Sequence, residues 1–93
     1  MTHHWTVPAD LPALAGHFPG RPIVPGVVLL DRVLVLAAQM TGRSTGWRID
    51  NAKFFRPVGP GTTLAFELST RPSGALAFTV RDGEHEVASG ILG

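Results

Sequence analysis

"PGVVLLDRVLVLAAQMTG", residues 25–42, is the stretch on which the fold turns. Pro25 and Gly42 bracket it, and after Gly26 no proline or glycine interrupts it. Proline suits the first turn of a helix, where its missing N–H would have no partner. Glycine suits the end, where the chain often turns left-handed. The pattern predicts one helix from Gly26 to about Met40, roughly 22 Å long at 1.5 Å per residue. Val27, Val28, Leu29, Leu30, Val33, Leu34, Val35, Leu36, Ala37 and Ala38 cover most of its circumference. A helix that is apolar all round is expected to be buried. Asp31 and Arg32 interrupt the run. A carboxylate in the most apolar segment of the chain needs a reason.

The segments on either side read differently. Residues 3–7 (HHWTV) read as a short strand that stops at Pro8. Residues 8–25 hold Pro8, Pro12, Pro19, Pro22 and Pro25 with two glycines, an ordered irregular loop. After the helix the period changes to two. Residues 47–56 form a strand ending at the turn Pro57–Gly61. Residues 62–70 alternate through Leu64, Phe66 and Leu68, and residues 75–81 through Leu76, Phe78 and Val80. Ser73-Gly74 and Asp82-Gly83 read as the hairpin turns around that second strand, and residues 84–92 complete the set. The expected architecture is α+β: an antiparallel sheet wrapped around one long buried helix, in a single domain over residues 1–93.

Composition narrows the function. The 93 residues carry 8 Lys and Arg against 7 Asp and Glu, with no basic run, so nucleic acid is not an expected partner. There is no cysteine, which excludes disulfides and thiolate chemistry. The N-terminal residues lack the basic-then-apolar pattern of a signal peptide, and the apolar run is too short to span a bilayer. No membrane association is expected, and a cytoplasmic location is. Hydrophobic residues make up 44%, more than so small a domain usually hides, which points to oligomerisation. His3, His4 and His85 have no partners at metal-binding spacing, so no metal is assigned.

"GHFPGRPIVPGVVLLD" (16–31) resembles the active-site signature of the hot-dog-fold β-hydroxyacyl dehydratases that act on acyl carrier protein thioesters. Gly16, His17, Phe18, Pro19, Pro22, Ile23, Pro25, Gly26, Val27 and Asp31 carry the resemblance. "FFRPVGPGTTLAFEL" (54–68) resembles the family's strand–turn–strand segment and supports it. The resemblance implies a hot-dog fold and dehydration of a 3-hydroxyacyl thioester to the trans-2-enoyl thioester. It implies a site shared across a homodimer or higher homo-oligomer, with His17 of one subunit facing Asp31 of the other. His17 would take the C2 proton, Asp31 would help the C3 hydroxyl leave, and the Gly26 N–H would bind the thioester oxygen. The substrate would arrive on acyl carrier protein, with no cofactor. The family also suggests a strained peptide, in some members cis, near His17–Phe18.

The chemistry of these residue types agrees. A developing enolate needs an electrophile, and a helix N-terminus offers free N–H groups at a positive dipole end. Glycine lets a ligand approach its backbone. Histidine is the natural base near neutrality. An aspartic acid in apolar surroundings favours its uncharged form and can hand its proton to hydroxide. Phe18, Ile23, Val24, Val27, Leu29, Phe54 and Phe55 are candidates for lining an acyl tunnel, with core packing the competing reading of each.

Alternatives stay open. His17 read alone is a structural loop histidine. Asp31 has a competing reading as an ion-pair partner of Arg21 or Arg56, or as part of a solvated stripe beside Arg32. Arg43, Arg48 and Arg71 read more simply as solvated cations than as contacts to an acidic carrier. Plain fatty-acid-cycle dehydratases carry Glu where this chain has Asp31. The dehydratase/isomerase type and the small aryl-polyene-type dehydratases carry Asp, and Ser89-Gly90-Ile91-Leu92 resembles the ending of the aryl-polyene type. A hot-dog thioesterase, or a non-catalytic subunit that works with a second hot-dog chain, are the competing functions.

Overall fold

The computed structural model describes residues 1–9 and 23–93. In chain order it holds β1 (Thr2–Thr6), α1 (Gly26–Thr41), β2 (Ile49–Phe54), β3 (Thr63–Thr70), β4 (Leu76–Asp82) and β5 (His85–Leu92). The strands form one antiparallel sheet in the order β1-β3-β4-β5-β2. The expected α+β architecture is the observed one.

The helix runs one residue past its expected end. Gly42 closes it in a left-handed conformation (φ 80°), donating its N–H to the Ala38 carbonyl at 2.8 Å. Only glycine adopts that backbone without strain. The Thr41 hydroxyl donates to the Ala37 carbonyl at 2.8 Å and takes up a second carbonyl of the last turn.

Strand alternation sets the core. Leu64, Phe66 and Leu68 of β3 and Leu76, Phe78 and Val80 of β4 are buried on one face. Leu29, Val33, Leu36 and Ala37 of α1 join them in one cluster. Burying a side chain of this size removes apolar surface worth about 1.5–3 kcal/mol from water. On the opposite face Arg81 pairs with Glu67 across β3 and β4 at 2.8 Å. Both are well exposed, so that pair contributes at most about 1 kcal/mol.

β5 departs from strict alternation. Val80 pairs with Ala88 but Arg81 pairs with Glu86, so Val87 is an extra residue. This bulge turns two consecutive side chains, Val87 and Ala88, into the core. The adjoining turn also differs from the expected Asp82-Gly83. Asp82 pairs with His85, and Gly83 (φ 60°) and Glu84 make the two-residue loop. The glycine sits first in the loop, where a positive φ is needed, and Asp82 stays in the ladder.

The helix is not buried on all sides. Val27, Asp31, Val35 and Gln39 form an exposed row at four-residue spacing, with Val27 69% and Val35 40% exposed. This corrects the expectation of an all-round buried helix. One sheet covers one side of a helix, and the row at 27, 31, 35 and 39 lies opposite Leu29, Val33 and Leu36. Arg32 turns the other way, towards β1. Its guanidinium stacks 5.4 Å from the Trp5 ring and lies 3.2 Å from His3 Nε2. Trp5 in turn meets Phe66 edge-on at 6.2 Å. The two charges of the Asp31–Arg32 pair therefore point to different places.

Candidate active site

The helix start is anchored by one long-range bond and one local bond. The Val24 N–H donates to the Val58 carbonyl at 2.7 Å, and the Val28 N–H to the Pro25 carbonyl at 3.0 Å. Pro25 has no N–H and is extended (φ −60°, ψ 143°), and no side chain caps the helix there. The first turn carries no acidic residue. The positive end of α1 is thus left for a ligand or for solvent.

β2 brings the facing wall. It pairs with β5 and lies at an edge of the sheet, and the Phe55 N–H donates to the Val87 carbonyl at 2.8 Å just past its end. The strand is shorter than the expected 47–56. Trp47 is taken up in a bracket before it, donating Nε1–H to the Arg43 carbonyl while the Arg43 guanidinium stacks 4.2 Å from its ring. Phe54 and Phe55 emerge half exposed at the end of β2.

Between the helix start and the end of β2 lies an open cavity of about 450 Å³. Ile23, Val24, Gly26, Leu29, Phe54, Phe55, Arg56, Pro57 and Val58 line it. Of the candidate tunnel residues, Ile23, Val24, Leu29, Phe54 and Phe55 come together here. Val27 is not among the residues lining this cavity and lies on the exposed helix row. Phe18 and the candidate base His17 lie outside the described residues, as does the peptide between them.

Gly26 meets its wall closely. A Cβ there would fall 2.8 Å from Phe54 Cζ and 2.9 Å from Cε1, too near for any side chain without displacing the ring. Asp31 is exposed rather than enclosed by Leu30 and Leu34, which corrects the expectation of a dry acid within one subunit. Among the described residues the ion pairs are Arg48–Asp50 and Arg81–Glu67, so Asp31 does not pair with Arg56, and Arg21 lies outside the described residues. Arg48 is solvent-exposed, as expected of a solvated cation, and pairs with Asp50 at the surface. The Arg48 guanidinium, by its hydrogen bond above all, holds the Asp50 carboxyl below the usual carboxylate range.

Arg56, Pro57 and Val58 were legible in the sequence as a strand end and turn, not as cavity walls. Arg56 is the charged member of the lining. No group of three or more potential metal ligands occurs among the described residues. Nor is any described helix long and apolar enough to cross a membrane.

A five-stranded antiparallel sheet against one central helix, with a cavity at the helix start, defines a hot-dog-fold protein. The family described as ApeI dehydratase (ApeI-like) matches residues 1–91, and the chain belongs to that family. One subunit of the dehydratase heterocomplex ApeI:P from Xenorhabdus doucetiae superposes with a TM-score of 0.78 at 27% identity, over 98% of this chain and 82% of that one. An uncharacterized protein from Erwinia carotovora subsp. atroseptica superposes at 0.74 with 31% identity, over 98% and 78%. The 3-hydroxyacyl-acyl-carrier-protein dehydratase FabZ of Sinorhizobium fredii is 38% identical over 71 residues, 68% of this chain and 46% of its own length. The chain thus spans about half the length of the curated relatives it matches. The fluoroacetyl-CoA-specific thioesterase FlK shares the fold, with a TM-score of 0.67 at 18% identity.

Proposed function

We propose that this chain dehydrates a 3-hydroxyacyl thioester, carried on acyl carrier protein, to the trans-2-enoyl thioester in fatty-acid or polyene-type biosynthesis. The observation that carries the reading is the mainly apolar cavity ending on an uncapped helix start, with Gly26 in its lining and Asp31, outside that lining, about 1.4 turns further along the same helix. The signature residues of the family stand at those positions. His17 takes the C2 proton, and the thioester oxygen gains negative charge against the Gly26 N–H. The C3–O bond breaks, its electron pair leaves with the hydroxyl, and the Asp31 proton completes the water. The C2–C3 double bond forms, and proton return from His17 to Asp31 resets the site. No step requires a cofactor or metal.

The same reading pairs two copies of the chain. Val27, Val35, Ile49, Phe54 and Phe55 are large apolar side chains in water, and β2 is a sheet edge next to the helix start. A second copy over this region covers the valines on either side of Asp31 and gives the acid the apolar surroundings the single subunit lacks. His17 of each copy then serves Asp31 of the other.

The test is turnover of 3-hydroxyacyl and trans-2-enoyl thioesters on carrier protein and on pantetheine, followed by enoyl absorbance. Wild type is expected to interconvert them, and His17→Ala or Asp31→Asn to lose on the order of 10²–10⁴ in rate while folded. Release of free thiol instead would establish a thioesterase. A second reading is favoured by the Xenorhabdus relative, which belongs to a dehydratase heterocomplex: a subunit active only with another hot-dog chain. Silence alone, with activity on adding such a chain, is its signature.

A further inference from the structure

The contact between Phe54 and Gly26 sets a limit on what can be bound at the helix start. The ring meets the glycine with its far edge: Cζ, Cε1 and Cε2 lie 2.8, 2.9 and 3.3 Å from where a Gly26 Cβ would be. The root of the side chain is held in the β2–β5 ladder, where Phe54 pairs with Ala88 and the next N–H donates to Val87. The residue is 48% exposed and borders the cavity. Phe54 is therefore fixed at its base, closed against the helix start, and not packed into the core.

A thioester oxygen that accepts from the Gly26 N–H lies about 2.9 Å from that nitrogen. Its carbonyl carbon follows, and C2 comes one bond later, beside the glycine. On the Phe54 side the ring edge lies so close that a single methyl on Gly26 would have to displace it.

We propose that Phe54 is a specificity-determining residue that excludes acyl thioesters branched at C2. This rests on the reading of the Gly26 N–H as the thioester-oxygen site. The preference belongs to the ring edge, so shortening the side chain relaxes it. Leucine, which keeps bulk but loses the edge, falls between phenylalanine and alanine.

The experiment compares dehydration of two pantetheine thioesters of equal chain length, 3-hydroxyacyl and 3-hydroxy-2-methylacyl (all diastereomers), by wild type, Phe54→Leu and Phe54→Ala. Products are followed by mass spectrometry, and folding is checked by circular dichroism. Wild type is expected to favour the unbranched substrate in kcat/KM by roughly tenfold or more, the range one methyl commands at a shaped site. Phe54→Ala is expected to reduce that ratio at least fivefold, even where its rate on both substrates falls, and Phe54→Leu to reduce it less. A wild type indifferent to the methyl group, or a ratio unchanged in both folded variants, overturns the inference and leaves the dehydratase reading standing. A folded wild type that turns over neither thioester, on pantetheine or on carrier protein, with or without a second hot-dog chain, overturns both.

Discussion

Gly90→Ala tests how tightly the sheet edge that carries Phe54 is built. Gly90 sits in β5 between Phe78 of β4 and Ala52 of β2. A Cβ there would fall 2.1 Å from the Asn51 carbonyl oxygen and 2.6 Å from Phe78 Cζ. Ordinary carbon contacts begin near 3.5 Å, so the oxygen has to retreat by more than about 1 Å. That oxygen is backbone and cannot swing aside. β2, bonded to β5 and otherwise an edge among the described strands, is what must move. Overpacking of a well-fitted site costs about 1–3 kcal/mol, and a backbone clash is placed no lower than the middle of that range. A loss of about 2 kcal/mol is a large share of the ~5–15 kcal/mol that holds a domain together. It lowers Tm by about 8–16 °C for a domain of this size. The assay is thermal unfolding by circular dichroism at fixed protein concentration, with Gly59→Ala as control because a Cβ there meets nothing within 4 Å. The control is expected within ~0.5 kcal/mol of wild type. A Gly90→Ala protein that melts within about 3 °C of wild type would refute the packing argument.

Further outcomes follow from the same structure. Phe66 is fully buried under Trp5 and the helix, so Phe66→Ala is expected to lose about 3–5 kcal/mol in urea unfolding; a loss below 1 kcal/mol would contradict its place in the core. Val27→Lys with Val35→Lys puts two charges on the exposed helix row, and light scattering is expected to show a folded chain that no longer self-associates; an unchanged particle mass would remove that row from the interface. Asp50 has a carboxyl whose folded-state pKa is lowered by Arg48, so its contribution is present above the unfolded value of about 3.9 and fades as pH falls through the lower folded value. Asp50→Asn is therefore expected to narrow the gap between urea midpoints at pH 7 and pH 3, by a small amount because the pair is exposed to solvent. An unchanged gap would show that the pair contributes nothing.

What could be seen in the sequence depended on how local the cause was. Pro25 and Gly42 are local signals, and the helix they bracket ends one residue beyond its expected limit. Leu64, Phe66 and Leu68 declare a strand because alternation is local too. The exposed side of α1 was not legible, since valine looks the same to a reader whether a sheet or a second subunit covers it. The consecutive burial of Val87 and Ala88 comes from a bulge, which is a property of register between two strands. The turn at Gly83-Glu84 moved by one residue for the same reason. At the cavity, Gly26 was singled out by the signature around it, whereas Asp31, singled out by the same signature, is not among the lining residues. The meeting of Gly26 with Phe54 was not legible, because it depends on β2 pairing with β5 far along the chain.

The central claim is a dehydratase site completed between two copies of the chain, and subunit mixing tests it most directly. His17→Ala and Asp31→Asn proteins, each inactive alone, are unfolded together, refolded and assayed for hydration of a trans-2-enoyl thioester. Random pairing makes half the dimers mixed, and each mixed dimer holds one intact site and one doubly altered site. The account predicts recovery of about one quarter of wild-type activity by this symmetry. A refolded mixture no more active than its separate components, beside an active wild type treated the same way, would contradict it.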